Sequence, residues 1–341
     1  MRSIFRSLLL TIATAMLVVV VSCNQTPIVS NNSTQSPAAT SSPGTASHDR
    51  SGKAKINVNT AILSELDKLE AKLGIPALSH RVQASRPYGS TEELVSKNVV
   101  TQEQFNQIQD MVTIEDVVLT GEAKDVDYMT KLGLMKGHLL VAKELLDQQK
   151  PDQAEPHIGH PVEEIYVDVE DQLNERNVKE FKTSLLSLQD LVKSKPQDAK
   201  VGTNFAASMQ SVEQAIAALP AAERNSPEFA LQVINGLLDA ANSEYGAAIA
   251  NGKIAAAIEY QDSRGFVNYA DSLYEGISGS MAKENPEARQ AIETSMNELI
   301  KAWPSASPPA QPIKTPAQVT ALIKTIEQNA QNVINNSNAS A

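Results

Sequence analysis

Three dipeptides, Ser226-Pro227, Asn285-Pro286 and Thr315-Pro316, constrain the fold of this 341-residue chain more than any other feature. Each offers a side-chain oxygen to the first-turn N–H groups of a helix, then a proline where a helix has no hydrogen bond to lose. Glu228 and Glu287 follow two of them and complement the positive end of a helix dipole. Helical periodicity predicts helices near 127–148, 161–174, 177–194, 203–218, 227–250, 253–279, 286–302 and 316–334, with stops at Asn251-Gly252 and Asn335-Asn336. No segment sustains the period-two alternation of a strand, so no sheet is predicted. Aromatic residues make up only 4% of the chain, glycines number 15, and alanine is abundant, which suits helices packed closely through small side chains. The predicted fold class is all-α, a small module followed by a helical bundle.

Cys23 is the single cysteine. It follows Arg2, Arg6 and an apolar run from Ser7 to Val21, an order of charge, apolar stretch and small residue that reads as an export signal. The run is short for a membrane-spanning helix. Val20-Val21-Ser22-Cys23 resembles a bacterial lipobox, which implies cleavage before Cys23, lipidation of its thiol and an extracytoplasmic, membrane-anchored protein. Loss of Arg2 and Arg6 leaves 27 basic against 40 acidic residues, net −13. That charge opposes nonspecific binding to nucleic acid or to an anionic membrane. A lipidated thiol leaves no disulfide and no thiolate metal site, so stability must come from apolar burial. Residues 23–54, rich in Ser, Thr, Asn and Pro, are predicted to be a disordered tether. The module is placed at 55–115 and the bundle at 120–341.

Within the module, Ile56-Asn57-Val58-Asn59-Thr60-Ala61 with Glu65-Leu66 and Leu69 opens a pattern continued by Leu73-Gly74-Ile75-Pro76, Arg81-Val82 and Arg86-Pro87-Tyr88. It closes with Ser90, Glu92, Glu93 and Leu94. This pattern, about 60 residues long, resembles the double helix-hairpin-helix family of the ComEA-like competence DNA receptors and the extrinsic photosystem II protein U. The resemblance implies two helical hairpins, and its photosystem-like flavour implies a cyanobacterial source and docking to a protein partner. If DNA were bound as in the receptor members, Lys72, Gly74, Ile75 and Arg81 are the residues expected to hold it. Two departures argue against that: Pro76 replaces an N–H donor, and the second hairpin, Lys97 to Thr101, has no glycine. The module holds six basic and eight acidic residues, the wrong sign for phosphate contacts.

Three of five histidines, His138, His157 and His160, fall within 23 residues. His138 sits among Leu134, Met135, Val141, Ala142 and Leu145 at helical spacing and points into the bundle; Gly133 and Gly137 would admit a close partner helix. A helix starting at Pro161 has its apolar stripe at Val162, Ile165, Tyr166, Val169 and Leu173. On regular α-helical phase Glu163 lies at the stripe's edge and Glu164 nearly opposite it. The expected metal set is therefore His138, His157, His160 and Glu163, imidazoles plus one carboxylate suiting iron, zinc or copper. The alternative is a hydrogen-bonded core histidine beside ordinary helix-start acids. Glu259 and Asp262, on one face of a later helix, are further carboxylates that could join such a site. Gly159-His160-Pro161-Val162-Glu163 resembles the Gly-x-His-x-x-Glu motif of imelysin-like iron-uptake lipoproteins, with the glycine displaced by one position. No nucleophile–base–acid group, phosphate loop or glycosidase-like carboxylate pair stands out, so the predicted role is binding or docking and not catalysis.

Overall fold

The computed structural model describes residues 55–61, 63–114 and 119–338. Cys23, the signal and the tether lie outside them. The chain is all-α. The described residues belong to one compact unit with two separate apolar cores, one within Ile56–Val112 and one within Tyr128–Ile334.

The smaller core is enclosed by α1 (Leu63–Leu73), α2 (Leu78–Ala84), α3 (Glu93–Ser96) and α4 (Gln102–Ile108). A two-residue parallel pair, β1 (Ile56–Asn57) and β2 (Val112–Thr113), ties its ends together. The pattern that opens the module has a direct structural use. Asn59 Nδ2 donates to the Tyr88 carbonyl (2.9 Å), and the Tyr88 N–H returns to Asn59 Oδ1 (2.7 Å). Arg86 Nε donates to the Val58 carbonyl (2.8 Å), so the opening segment is stitched to the Arg-Pro-Tyr segment. Tyr88 and Leu94 are buried.

The larger core is built by α5 (Glu122–Asp147), α6 (Pro151–Ala154), α7 (Pro156–His160), a π-helical turn (Pro161–Ile165) and α8 (Tyr166–Glu175). These are followed by α9 (Lys182–Ser194), α10 (Lys200–Ile216), α11 (Ala221–Arg224), α12 (Pro227–Ala248), α13 (Ala257–Glu284), α14 (Pro286–Leu299) and α15 (Pro316–Asn338). Helix α12 packs along α13 and α15, α14 along α15, and α13 along α5. Ser226 caps α12 by accepting the Phe229 N–H (3.1 Å), and Thr315 and Gln318 cap α15 reciprocally. Asn285 makes no side-chain cap; it is the single residue at the corner between α13 and α14.

Two expectations need correction. Asn251-Gly252 does not simply stop a helix. It forms the left-handed turn (φ +52° and +70°) of a hairpin between β3 (Ile249–Ala250) and β4 (Lys253–Ile254), a two-residue loop suited to Asn-Gly. The helix carrying Pro161 does not begin there either: α7, the π turn and α8 run on continuously. Proline lacks the N–H that an α-helix would send back four residues, and the chain widens into a π turn at that point.

Helices α5 and α13 cross in backbone contact at Gly137 and Gly265. A Cβ on Gly265 would lie 2.2 Å from the Gly137 carbonyl oxygen, and one on Gly137 2.7 Å from the Phe266 ring. Only glycine at both positions permits this approach, and it brings His138 beside Asp262. Helix α1 of the module lies on α12, where Lys68 pairs with Asp239.

Candidate metal site

Asp262, on α13, is the centre around which three histidines gather. It is 4% exposed, yet its carboxyl is held well below the ordinary carboxylate range: burial works against ionisation, and His138 and His157 outweigh it. His157 Nδ1 is 2.7 Å from Asp262 Oδ1, and His157 Nε2 is 2.8 Å from Gln261 Oε1. The Gln261 amide is oriented by its own donor group, which reaches the Ala306 carbonyl and Gln153 Oε1, both at 3.1 Å. Both imidazole nitrogens therefore face acceptors, and His157 must carry both protons. Burial opposes that charge, but the Asp262 carboxylate and the two hydrogen bonds raise its pKa overall.

His157 is thus a cation paired with Asp262, and the expectation that it ligates metal is corrected. Its place is behind the site, where it fixes the carboxylate. Trp303, Ser305 and Ala306, in the segment between α14 and α15, brace the same region. Trp303 is 2% exposed and donates from Nε1 to Ser263 Oγ (2.7 Å). The Ala306 N–H donates to Glu144 Oε1 (2.7 Å), while Glu144 Oε2 accepts from Arg264 Nε (2.8 Å).

His138 and His160 are placed differently. His138 Nδ1 lies 2.7 Å from Asp262 Oδ1, the same oxygen that His157 meets, so one carboxylate oxygen stands against both rings. His160 Nδ1 lies 3.9 Å from Asp262 Oδ2. Burial lowers the His160 pKa to about 4, with the neighbouring imidazoles adding to the Asp262-opposed shift, so at neutral pH this ring is uncharged and has a lone pair to give. One donor atom from each of His138, His160 and Asp262 falls within 4.8 Å of the others. Two imidazoles and a carboxylate, converging on a shared point, fit a transition-metal ion.

Glu163, expected among the ligands, does not face the cavity. Glu163 is exposed, while Glu164 lines the cavity in front of the histidines. The apolar stripe is where the sequence put it, since Val162, Ile165, Tyr166, Val169 and Leu173 are all buried. The phase failed because a π turn closes on the fifth residue and not the fourth, so each residue advances less around the axis. Glu164 is thereby turned toward the cavity. Burial, with Asp262 and Asp67 next, pushes the Glu164 carboxyl up to about 9.

The cavity has a volume of about 360 Å³ and is walled by both parts of the chain. The bundle contributes His138, His160, Glu164, Glu244, Glu259 and Asp262; the module contributes Asp67, Glu70, Ser79 and His80. The first hairpin of the module therefore faces the bundle. Glu70 accepts from the Ala77 N–H (3.0 Å), the Ser79 N–H (3.4 Å) and Ser79 Oγ (3.1 Å). An internal carboxylate thus occupies the N–H groups at the start of α2. Gly74 (φ +65°), Lys72 and Arg81 are exposed and Ile75 is half-buried against the module core.

The family model for the iron permease-associated 4-helix bundle domain matches residues 220–337. That is α12 to α15 with the short α11 before them. The match contains Asp262, Glu244 and Glu259 and leaves out all three histidines, which come from α5 and α7. No curated protein and no solved structure matches the chain. No helix among the described residues is long and apolar enough to cross a membrane.

Proposed function

We propose that this protein binds a transition-metal cation, iron foremost, as cargo in the cavity between its module and its bundle, and that it does so without catalysing a reaction. The observation that carries this reading is the convergence of His138, His160 and Asp262, one donor atom of each within 4.8 Å of the others. The iron permease-associated match over the α13 wall supports iron among the metals such donors accept. His138 and His160 would supply nitrogen and Asp262 oxygen. His157, Gln261 and the Trp303 segment hold Asp262 in place, as the groups behind a metal ligand must.

On the same proposal the protein works outside the cytoplasm, anchored through a lipid on Cys23, and its module serves the cavity and a protein partner and not DNA. The filled N–H groups at the start of α2 support that last point, because a phosphate would have to displace Glu70. The test is elemental analysis of the purified chain after loading with Fe(II) and dialysis. Wild type should retain about one equivalent of metal, and His160→Ala and Asp262→Asn should each lower occupancy sharply. Retention by both variants at the wild-type level would remove the proposal.

A further inference from the structure

We infer that the cavity contains a second cation position, separate from the histidine site, made by the carboxylates of Asp67, Glu164, Glu244 and Glu259 and suited to a hard, oxygen-preferring di- or trivalent ion. The cavity wall holds six acidic side chains and no lysine or arginine. Two of the six are already engaged: Asp262 by histidines and Glu70 by the start of α2. The other four come from four different elements, α1, the π turn, α12 and α13, so no single helix's periodicity places them together.

Glu244 is the decisive member. It is 6% exposed, faces the cavity and has no hydrogen-bond or ion-pair partner among the described residues. A buried carboxyl without a partner costs free energy unless a proton or a cation neutralises it. Burial raises its pKa well above the ordinary range, and Asp67, Asp262, Glu259 and Glu164 raise it further in that order. Asp67 is pushed up to about 6, chiefly by burial, and Glu259 is raised in the same way. One multivalent cation held among the four would neutralise the buried Glu244 and the acids that share its cavity wall.

All-oxygen donors select hard ions over the softer metals that imidazole prefers. Among the described residues only His138, His160 and Asp262 bring three donor atoms within 4.8 Å. The carboxylates stand farther apart, which suits an ion that keeps part of its water. Asp67 gives the module a specific part: it supplies one wall of the position, and without α1 the site would be incomplete.

The two positions call for two probes. Tb³⁺ luminescence lifetimes in H₂O and D₂O report binding and retained water at an oxygen site, and Co²⁺ visible absorption reports nitrogen ligation at the histidines. The full mature chain should bind Tb³⁺ with some inner-sphere water replaced by protein. Glu244→Gln, nearly isosteric, should weaken the tightest Tb³⁺ site at least about tenfold and leave the Co²⁺ spectrum intact, with Glu164→Gln acting in the same direction. A His138→Ala/His160→Ala double variant should lose the Co²⁺ spectrum and keep Tb³⁺. Unchanged Tb³⁺ affinity in both glutamine variants, or its loss in the double histidine variant, would overturn the second position. Absence of Co²⁺ binding with Tb³⁺ retained would instead remove the histidine site alone.

Discussion

The two ends of the cavity contain the same kinds of side chain in opposite states. At the α13 end Asp262 sits among histidines and stays ionised although buried, because positive charge and hydrogen bonds exceed the desolvation cost. At the α12 end Glu244, about as buried, resists ionisation through burial and the charges of Asp67, Asp262, Glu259 and Glu164. Burial alone therefore decides little; the partners decide the charge. The comparison also separates two tasks. The histidine end is preorganised before any ion arrives, while the carboxylate end waits for neutralisation.

The strongest way to break this arrangement is at the crossing that brings the histidine end together. Gly265→Ala drives a methyl into the Gly137 carbonyl, backbone against backbone, with no flexible atom to yield. It should destabilise the protein by about 3 kcal/mol in urea unfolding and abolish metal retention. Gly276→Ala, on the exposed face of the same helix with open space around it, should be neutral or stabilise by up to about 1 kcal/mol.

Next in size is Asp262→Asn. It leaves the doubly protonated His157 buried without its counter-charge and should cost about 3 kcal/mol in a thermal or urea melt. Glu244→Gln should have the opposite sign in the metal-free protein, since it removes a carboxyl that folding keeps from ionising. If both variants destabilised equally, the contrast between the two ends would be wrong.

The carboxylate end should also set the pH dependence. Folded pKa values raised to about 6 at Asp67 and about 9 at Glu164 mean that the folded chain holds protons that the unfolded chain releases. Their contribution to stability is fully present below the unfolded carboxyl range, near 4, and is lost as pH rises through 6 and then 9. The urea midpoint of metal-free protein should fall across that window, and Glu164→Gln should flatten its upper half. Glu163→Gln, on the exposed face, should leave both the curve and metal retention as they are.

How much of this was legible in the sequence follows from how local each signal is. Helix starts at Ser226 and Thr315 depend on a few neighbouring residues, and both caps are present. The inward phase of His138 and the need for Gly137 were legible because α5 is a regular helix. Glu163 was chosen over Glu164 on an α-helical phase that Pro161 interrupts, and the proline itself was the available signal. Asp262 was visible only as a carboxylate that could join the site, since its partnership with His157 spans 105 residues. The Asn-Gly hairpin could have been read from its turn residues. The facing of Asp67 to Glu244 could not, because nothing local records that α1 lies on α12.

The smallest expected effect concerns the exposed basic residues of the module. Changing Lys72 and Arg81 to alanine should leave metal retention unaltered, and duplex DNA should bind the full chain no tighter than the roughly 10⁻⁴ to 10⁻⁶ M of nonspecific contacts at physiological salt. Tighter binding lost in that variant would give the first hairpin the role of a nucleic-acid contact and part the module from the cavity it walls.

The most direct test of the central claim is the position of the ion itself. In an anomalous difference map from crystals grown with Fe(II), recorded at the iron edge, the account predicts one dominant peak about 2.0–2.2 Å from a ring nitrogen of His138, a ring nitrogen of His160 and an oxygen of Asp262, with His157 outside ligand distance. A peak liganded by His157 and Glu163, or no peak in the cavity from crystals of iron-loaded protein, would contradict it.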